Sequence, residues 1–470
     1  MIKPKKFKTD HRDTETQRKH TDIKSFLSAS VPLWLKIGNT IVKCLFLIFL
    51  LPLITDAKVY IDISSPTAKK LSIAIPQLNS AGDGAAIVAS KVTDVITKDL
   101  EISGIVSFID KASSLVDPLK AELSPERIDF KPWVALGAEF LTKGKVSVEG
   151  RNITVDVRLY DVTAGKQVMV SIYVRDAKDL RKIGHMVADD IIANLTGDRG
   201  VFNTRIAFVS NSTGNKEIYV MDFDGEGIEA VTKNGFINLS PTWSPDGSAI
   251  SYVSFKGGRP SVYIKEIGND KEARLSVPEG TSLGASWSPD GKKLALVISR
   301  DGNADIYAIN KDGSGLTRLT DNWGLDVSPS WAPNGKEIAF VSDRGGSPQI
   351  YIMDSSGGNV RRLTFEGSYN SSPAWSPKGD RIVFAGTSDG KFDIFTINPD
   401  GSNLSQLTVD AGNNENPTWS PDGRFISFSS TRDGGSIIYI MHSDGADQRR
   451  VAPMKGKSTS PAWGPRIKEP

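Results

Sequence analysis

The chain predicts an all-β six-bladed propeller in its C-terminal part, preceded by a small α/β domain. Three observations carry this. Trp243, Trp287, Trp331, Trp375, Trp419 and Trp463 stand 44 residues apart without deviation. Two more series keep the same step: Ile206, Ile250, Leu294, Ile338, Ile382, Ile426 and Tyr219, Tyr263, Tyr307, Tyr351, Phe395, Tyr439. The residues between the apolar leader and the repeat lack this period and show helical spacing instead. A fixed period of this size marks an array of small supersecondary units.

The first element is a leader, residues 1–57. Residues 44–55 form a largely apolar run of 12, preceded by Lys36 and Lys43 and followed by the small residue of Thr55-Asp56-Ala57. A membrane-spanning helix needs ~20 such residues. The pattern is that of a signal peptide cleaved after Ala57, although signals usually take ~15–30 residues and this one is longer. The rival is an uncleaved anchor. Cys44, the only cysteine, lies in the leader, so the remaining chain has no disulfide. Of 57 basic and 55 acidic residues the leader holds ten and five, which leaves 47 against 50 and a net charge of −3. Phosphate binding requires a basic face, so nucleic acid is not expected as a partner. No membrane span is expected after cleavage.

Residues 58–198 form the second element. Leu71–Ile75 and Val146–Leu159 read as strands. Ile87, Val88, Val92, Val95 and Ile96 recur at helical spacing within 85–100. Leu180, Ile183, Met186, Val187, Ile191 and Ile192 do so within 177–195. Mixed elements over this length suit one α/β domain.

Residues 199–470 are the third element. Each repeat reads as four short β-branched or aromatic runs, of the types Trp-Ser-Pro-Asp-Gly, Ile-Ala-Phe-Val-Ser, Ile-Tyr-Ile-Met-Asp and Arg-Leu-Thr. Ser-Pro-Asp-Gly is turn chemistry: Pro presets φ, Asp bonds its own backbone and Gly accepts positive φ. The unit is a four-stranded meander, a propeller blade. The Ile206 strand has no Trp strand before it and the Trp463 strand has none of its type after it. The two should pair and close the ring, removing two exposed edges.

The motifs give little chemistry. Gly280-Thr-Ser282-Leu-Gly284 matches a nucleophile-elbow pattern, but that motif needs a strand-to-helix turn. After the leader only His185 and His442 remain, and neither has a placed partner. Asp222-Phe-Asp224-Gly-Glu226 lacks calcium-loop spacing and reads as a strand turn. No catalytic residue, metal ligand or cofactor is expected. The Trp series reads as inter-blade core. Five residues before each Trp stand Asn238, Ser282, Asp326, Asn370, Asn414 and Ser458, all small and polar. With the Trp strand innermost they ring a channel mouth. The following position varies and includes Glu415. Such a ring suggests a wetted mouth shaped for a partner; loop capping is the plainer reading. The Pro-Asp-Gly and Asp-Gly turns share one face, and the Gly-rich loops and the loops before each Trp share the other. The second set is longer and more variable, and so the better binding face.

The Lys58-Val-Tyr-Ile-Asp-Ile63 start, Leu136–Val146, the Leu195-Thr-Gly-Asp-Arg-Gly junction and the six-fold Trp-Ser-Pro-Asp-Gly array together resemble the TolB family. The resemblance covers the chain after the leader, and the long leader departs from it. It implies a periplasmic, monomeric, non-catalytic adaptor of the Tol-Pal system, which supports outer-membrane invagination in cell division and outer-membrane integrity. It implies Pal, the peptidoglycan-associated lipoprotein, on one propeller face, for which the ring from Asn238 to Ser458 with Glu415 is the candidate. It implies TolA on the N-terminal segment Lys58, Val59, Tyr60, Ile61, Asp62 and Ile63. The alternatives are a carbohydrate- or peptidoglycan-binding propeller and the accessory propeller of a peptidase-like enzyme.

Overall fold

The computed structural model describes residues 69–109, 122–277, 280–452 and 454–466. The expected leader and the segment Lys58 to Ile63 lie outside them.

The α/β domain is a six-stranded sheet with its two long helices on one face. Its strands are β1 (Leu71–Ala74), β2 (Asn79–Ala81), β3 (Val106–Phe108), β4 (Phe140–Glu149), β5 (Asn152–Asp161) and β6 (Lys166–Asp176). The order is β3-β1-β4-β5-β6, with β2 also on β4. β1 and β2 run parallel to β4, whereas β4, β5 and β6 form an antiparallel meander. The stretch 146–159 is therefore the heart of a hairpin. Gly150, at φ 62°, makes the turn, across which the apolar positions pass from even (Val146, Val148) to odd (Ile153, Val155).

Helices α1 (Ala85–Ser103) and α3 (Leu180–Thr196) cover the sheet, and a short α2 (Lys131–Ala135) lies between them in sequence. Val92, Val95, Ile96 and Leu100 of α1 meet Ile183, Val187 and Ile191 of α3 in the core. Gly184 lets the two helices close up, since a Cβ there would stand 2.6 Å from Val95 Cγ1.

The C-terminal part is a six-bladed propeller of four-stranded antiparallel sheets. The inner strands are Asn238–Trp243, Thr281–Trp287, Asp326–Trp331, Asn370–Trp375, Asn414–Trp419 and Ser458–Trp463. Each touches the inner strand of the next blade, and the sixth touches the first. Ser458–Trp463 pairs with Arg205–Ser210 in the register Trp463↔Ile206, so the ring closes as the phase of the repeat requires.

The tryptophans lie between blades. Trp287 packs on Val253, Val262 and Leu275 of one blade and Leu294 and Leu296 of the next. Trp419 bridges Val383 and Ile394 to Ile426 and Phe428 in the same way. Below this layer the core runs from α1 and α3 without a break into Phe208, Tyr219, Phe223 and Trp463.

Candidate functional site

The channel is built by the inner strands, and each begins with one residue of the small-polar ring. All six are buried: Asn238, Ser282, Asp326 and Asn414 at 0 %, Ser458 at 2 % and Asn370 at 3 % exposure. The expectation of a wetted ring is corrected by this. The ring reaches sideways to the start of the third strand in the preceding blade. Asn238 Nδ2 donates to Glu217 Oε2 (2.8 Å), Asn370 Nδ2 to Gln349 Oε1 (2.8 Å) and Asn414 Nδ2 to Asp393 Oδ1 (3.1 Å). The Thr of the Arg-Leu-Thr motif completes the group. Thr364 Oγ1 donates to Gln349 Oε1 (2.8 Å) and accepts from Ile350 N (2.9 Å). Thr408 does the same with Asp393 and Ile394. Asp326 instead receives Arg344 on both oxygens (2.9 Å each). The asparagine bonds are inter-blade clasps, whereas the Thr and Arg344 bonds lie within one blade, and buried polar groups need such partners. Ser282 makes no side-chain bond of this kind. Of the named ring positions only Glu415 is exposed.

The next two positions complete the strand. Ser240, Ser328, Ser372, Asn416 and Ser460 take positive φ of 51–54°. Each precedes a proline, and the ladder skips both residues. Proline has no N–H to give to the neighbouring strand, so a bulge forms. The exception is Gly284-Ala285, which pairs normally with Val297 and Leu296. Bulge residues of adjacent blades meet, as where Asn416 Nδ2 donates to Ser372 Oγ (3.2 Å).

The Trp-Ser-Pro ends of the inner strands line a cavity of about 330 Å³ at the mouth on the Pro-Asp-Gly face. The α/β domain contacts that same face. Arg181 and Lys98 pair with Asp224, whose carboxylate is 1 % exposed. His442 Nε2 lies 3.0 Å from Ile102 O at the end of α1, and a Cβ on Gly104 would strike its ring. Arg466 Nε donates to Gly200 O (2.9 Å). The turn 222–226 is thus occupied by two cations, as a domain contact.

Both histidines have partners, contrary to expectation. His185 Nδ1 is 2.7 Å from Asp99 Oδ2, both buried between α1 and α3. Burial pushes Asp99 up to about 6, against the opposing His185 bond. Burial alone would lower His185, but the Asp99 bond and the charges of Asp99, Asp224 and Asp222 outweigh it and raise it. Burial lifts Asp189 to about 7 although it accepts from the amides of Phe202 and Asn203. Ser282 of the elbow-like motif sits inside strand Thr281–Trp287, fully buried, with no helix after it.

The opposite face carries exposed apolar side chains on the loops before the inner strands. They are Phe236 (48 %), Ile237 (45 %), Trp323 (73 %), Leu325 (45 %), Phe365 (73 %), Tyr369 (42 %) and Val409 (62 %), joined by Leu283 (44 %). Ile237, Leu325 and Tyr369 share one position of the 44-residue repeat, and Phe365 and Val409 share another, but Trp323 stands alone, aligned with Gly235, Gly367 and Ala411. The sequence reading missed them. Its available signal was a tryptophan off the six-fold register in a loop otherwise built of Gly, Asn and Asp.

Residues 192–467 match the family model of the TolB beta propeller domain, and residues 59–168 that of the TolB amino-terminal domain. Over 197 residues the chain is 40% identical to the Tol-Pal system protein TolB of Syntrophotalea carbinolica, covering 42% of this chain and 46% of that protein. Over 190 residues it is 43% identical to the Tol-Pal system protein TolB of Geobacter sulfurreducens, covering 40% and 43%. The chain thus spans less than half the length of these curated relatives. The crystal structure of TolB from Acinetobacter baumannii superposes with a TM-score of 0.74 at 29% identity, covering 84% of this chain and 97% of that one. With more than half of its length matched by the propeller model, and the amino-terminal domain in its expected place before it, the chain belongs to the TolB family.

Proposed function

We propose that this chain is a non-catalytic periplasmic adaptor of the Tol-Pal system, with a leader (1–57), an α/β domain (58–198) and a propeller (199–470). It binds Pal on the loop face and TolA through Lys58 to Ile63, and so supports outer-membrane invagination and integrity. The observation that carries the Pal assignment is the blade-specific exposed apolar set around Trp323 and Phe365. Exposed patches of this kind, rimmed by polar residues, mark protein-binding sites, and aromatic anchors dominate their energetics. The set surrounds the mouth formed by the Asn238–Ser458 ring. The ring then acts as a buried frame, with Glu415 as its accessible member and Leu283 exposed beside it. The TolA assignment rests on the alternating Val59, Ile61 and Ile63, a pattern suited to adding a strand to a partner's sheet.

Calorimetry with the soluble domain of Pal tests the first assignment. Trp323→Ala with Phe365→Ala should weaken binding by more than about 2 kcal/mol, the hot-spot level, with the fold retained. Equal affinity would remove Pal from this face. Removing residues 58–66 should abolish TolA binding and leave Pal binding within about threefold, ~0.7 kcal/mol. The glycan-binding alternative gains nothing from Trp287, Trp375, Trp419 and Trp463, which are at most 8 % exposed; on that reading the open ring would be Trp323.

A further inference from the structure

The seam between the closing blade and the blade that follows it breaks the pattern of the repeat. Val209, Ile218 and Val231 of the closing blade meet Tyr252 and Tyr263 of its neighbour there. On the same face of the neighbour stands Lys265, at a position that holds Met221, Ile309, Met353, Ile397 and Met441 in the other blades, all at most 3 % exposed. Its cross-strand partner Glu272 stands where the others have Ile228, Leu316, Val360, Leu404 and Gln448. Tyr252 replaces a Phe or Leu. The next seam shows what these positions do elsewhere. There Ile309 and Leu316 pack with Leu275, the counterpart of Val231, in one apolar cluster. Exchanging that contact for two charges costs stability, because a charge resists burial unless it is paired. A break in an otherwise consistent pattern is expected where function overrides packing.

The seam stays open as a side pocket of about 410 Å³. Val231 and Tyr252 line it together with three ammonium groups, Lys233, Lys256 and Lys265, and two carboxylates, Asp270 and Glu272. Glu272 already bonds both the Lys256 ammonium and the Tyr252 hydroxyl. Lys256 also lies 4.1 Å from the centroid of the Tyr263 ring. The other two cations are less engaged. Lys265 Nζ pairs with the fully exposed Asp270 at 4.0 Å, the outer limit of such a contact. Lys233, exposed on the wall formed by the closing blade, makes no ion pair among the described residues. An ammonium is donor-only, so both are suited to an anion, and charge-assisted bonds of this kind are the strong ones.

We propose that this seam binds a small organic anion, of about the size of an acidic dipeptide, whose carboxylate is held between Lys233 and Lys265. Its apolar part would lie against Val231 and the Tyr252 ring. The volume is in the usual small-molecule range of ~300–1,000 Å³, which a bare inorganic anion would leave mostly unfilled. The proposal does not rest on the Pal or TolA assignment.

Titration calorimetry of the full chain with the dipeptide Glu-Glu tests it, at low ionic strength because salt screens exposed charges. The expected result is saturable binding with a Kd of roughly 0.1–1 mM. Amidated Gln-Gln, of the same shape without carboxylates, and inorganic phosphate should each bind about tenfold more weakly or worse. Lys265→Met writes into this blade the residue that Met221, Met353 and Met441 supply in others. Its melting temperature should hold or rise, while dipeptide binding falls by about tenfold or more. Lys233→Ser should weaken binding in the same way from the other wall. A wild-type chain with no saturable dipeptide binding overturns the proposal. So does binding that Lys265→Met leaves unchanged, and so does phosphate binding as tight as that of the dipeptide. A Lys265→Met chain that melts well below the wild type would overturn it too, since the charges would then be holding the two blades together.

Discussion

Asn370 donates its amide to Gln349 from a position only 3 % exposed, which fixes what a charge there would do. Asn370→Lys buries an uncompensated ammonium and should cost about 3–5 kcal/mol in urea unfolding. Glu415→Lys, one residue beyond the equivalent Asn414 but exposed, should stay within about 0.5 kcal/mol. Equal midpoints for the two would mean that the clasp is open to water. The ring itself was legible in the sequence as six small polar residues at one spacing. Its burial was not, because the partners Glu217, Gln349 and Asp393 stand some twenty residues earlier in another blade, and nothing local ties them to it. The junction histidines were illegible for the same reason: Asp99 and His185 are 86 residues apart. Their titration yields a second expectation. Asp99 and Asp189 have folded-state values of about 6 and about 7, raised from 3.8, and His185 is raised as well. Protonation therefore favours the folded form at all three. Their stabilisation is lost as pH rises through these raised values. Asp224, lowered, acts in the opposite sense and only as pH falls through the ordinary carboxylate range. Stability should thus rise on acidification from pH 8 to pH 5, on the order of 2 kcal/mol, and fall again below about pH 4. A melting temperature flat from pH 8 to 5 would exclude charged burial at this junction.

The inner strand is the element in which regularity and exception are both informative. Its Trp register and its turn were read from spacing and from Ser-Pro-Asp-Gly. The bulge was not, although Pro241, Pro329, Pro373, Pro417 and Pro461 mark it in the chain. A proline two residues before a core tryptophan removes one ladder bond, and the residue ahead of it takes positive φ as a result. Ser328, at φ 54°, therefore tolerates glycine, whereas Ser328→Val should cost about 1–2 kcal/mol by the left-handed penalty for a side chain. Thermal melts of the two variants check this, and an undisturbed valine variant would mean that the strand can straighten. Gly284-Ala285 shows the alternative: with no proline these two residues pair, and the irregularity of the ladder shrinks to the single residue Leu283. In the α/β domain the helices were legible from apolar spacing to within a few residues. The hairpin within 146–159 was marked in the sequence by a change of phase, from Val146 and Val148 to Ile153 and Val155 across Gly150-Arg151, which the reading of one strand passed over.

At the scale of the molecule, the period alone determined the blade number and the way the ring closes. Deleting residues 458–470 removes the inner strand that pairs with Arg205–Ser210. It should abolish soluble monomer, since the opened ring presents two edges to other chains. A truncated chain with an unchanged circular dichroism spectrum would contradict the closure. The apolar loop set stayed unread because its recurring positions are apolar in only some blades, as at Ile237, Leu325 and Tyr369 against Thr281, Asn413 and Lys457, and its tryptophan, Trp323, falls on no series at all.

The closing blade also sets an order in time. Trp463 finds Ile206 across 257 intervening steps of chain, whereas every other inner strand finds its neighbour within one hairpin. Long-range pairings of this kind form late, because the entropy of closing the loop is lost before any contact repays it. During synthesis the first strand of the array, joined to α3 by a short connector, waits with one side unsatisfied until Ser458–Trp463 has been made. Only then can the sheet against which the α/β domain rests be completed, so the seam next to the domain junction is the last part of the ring to close.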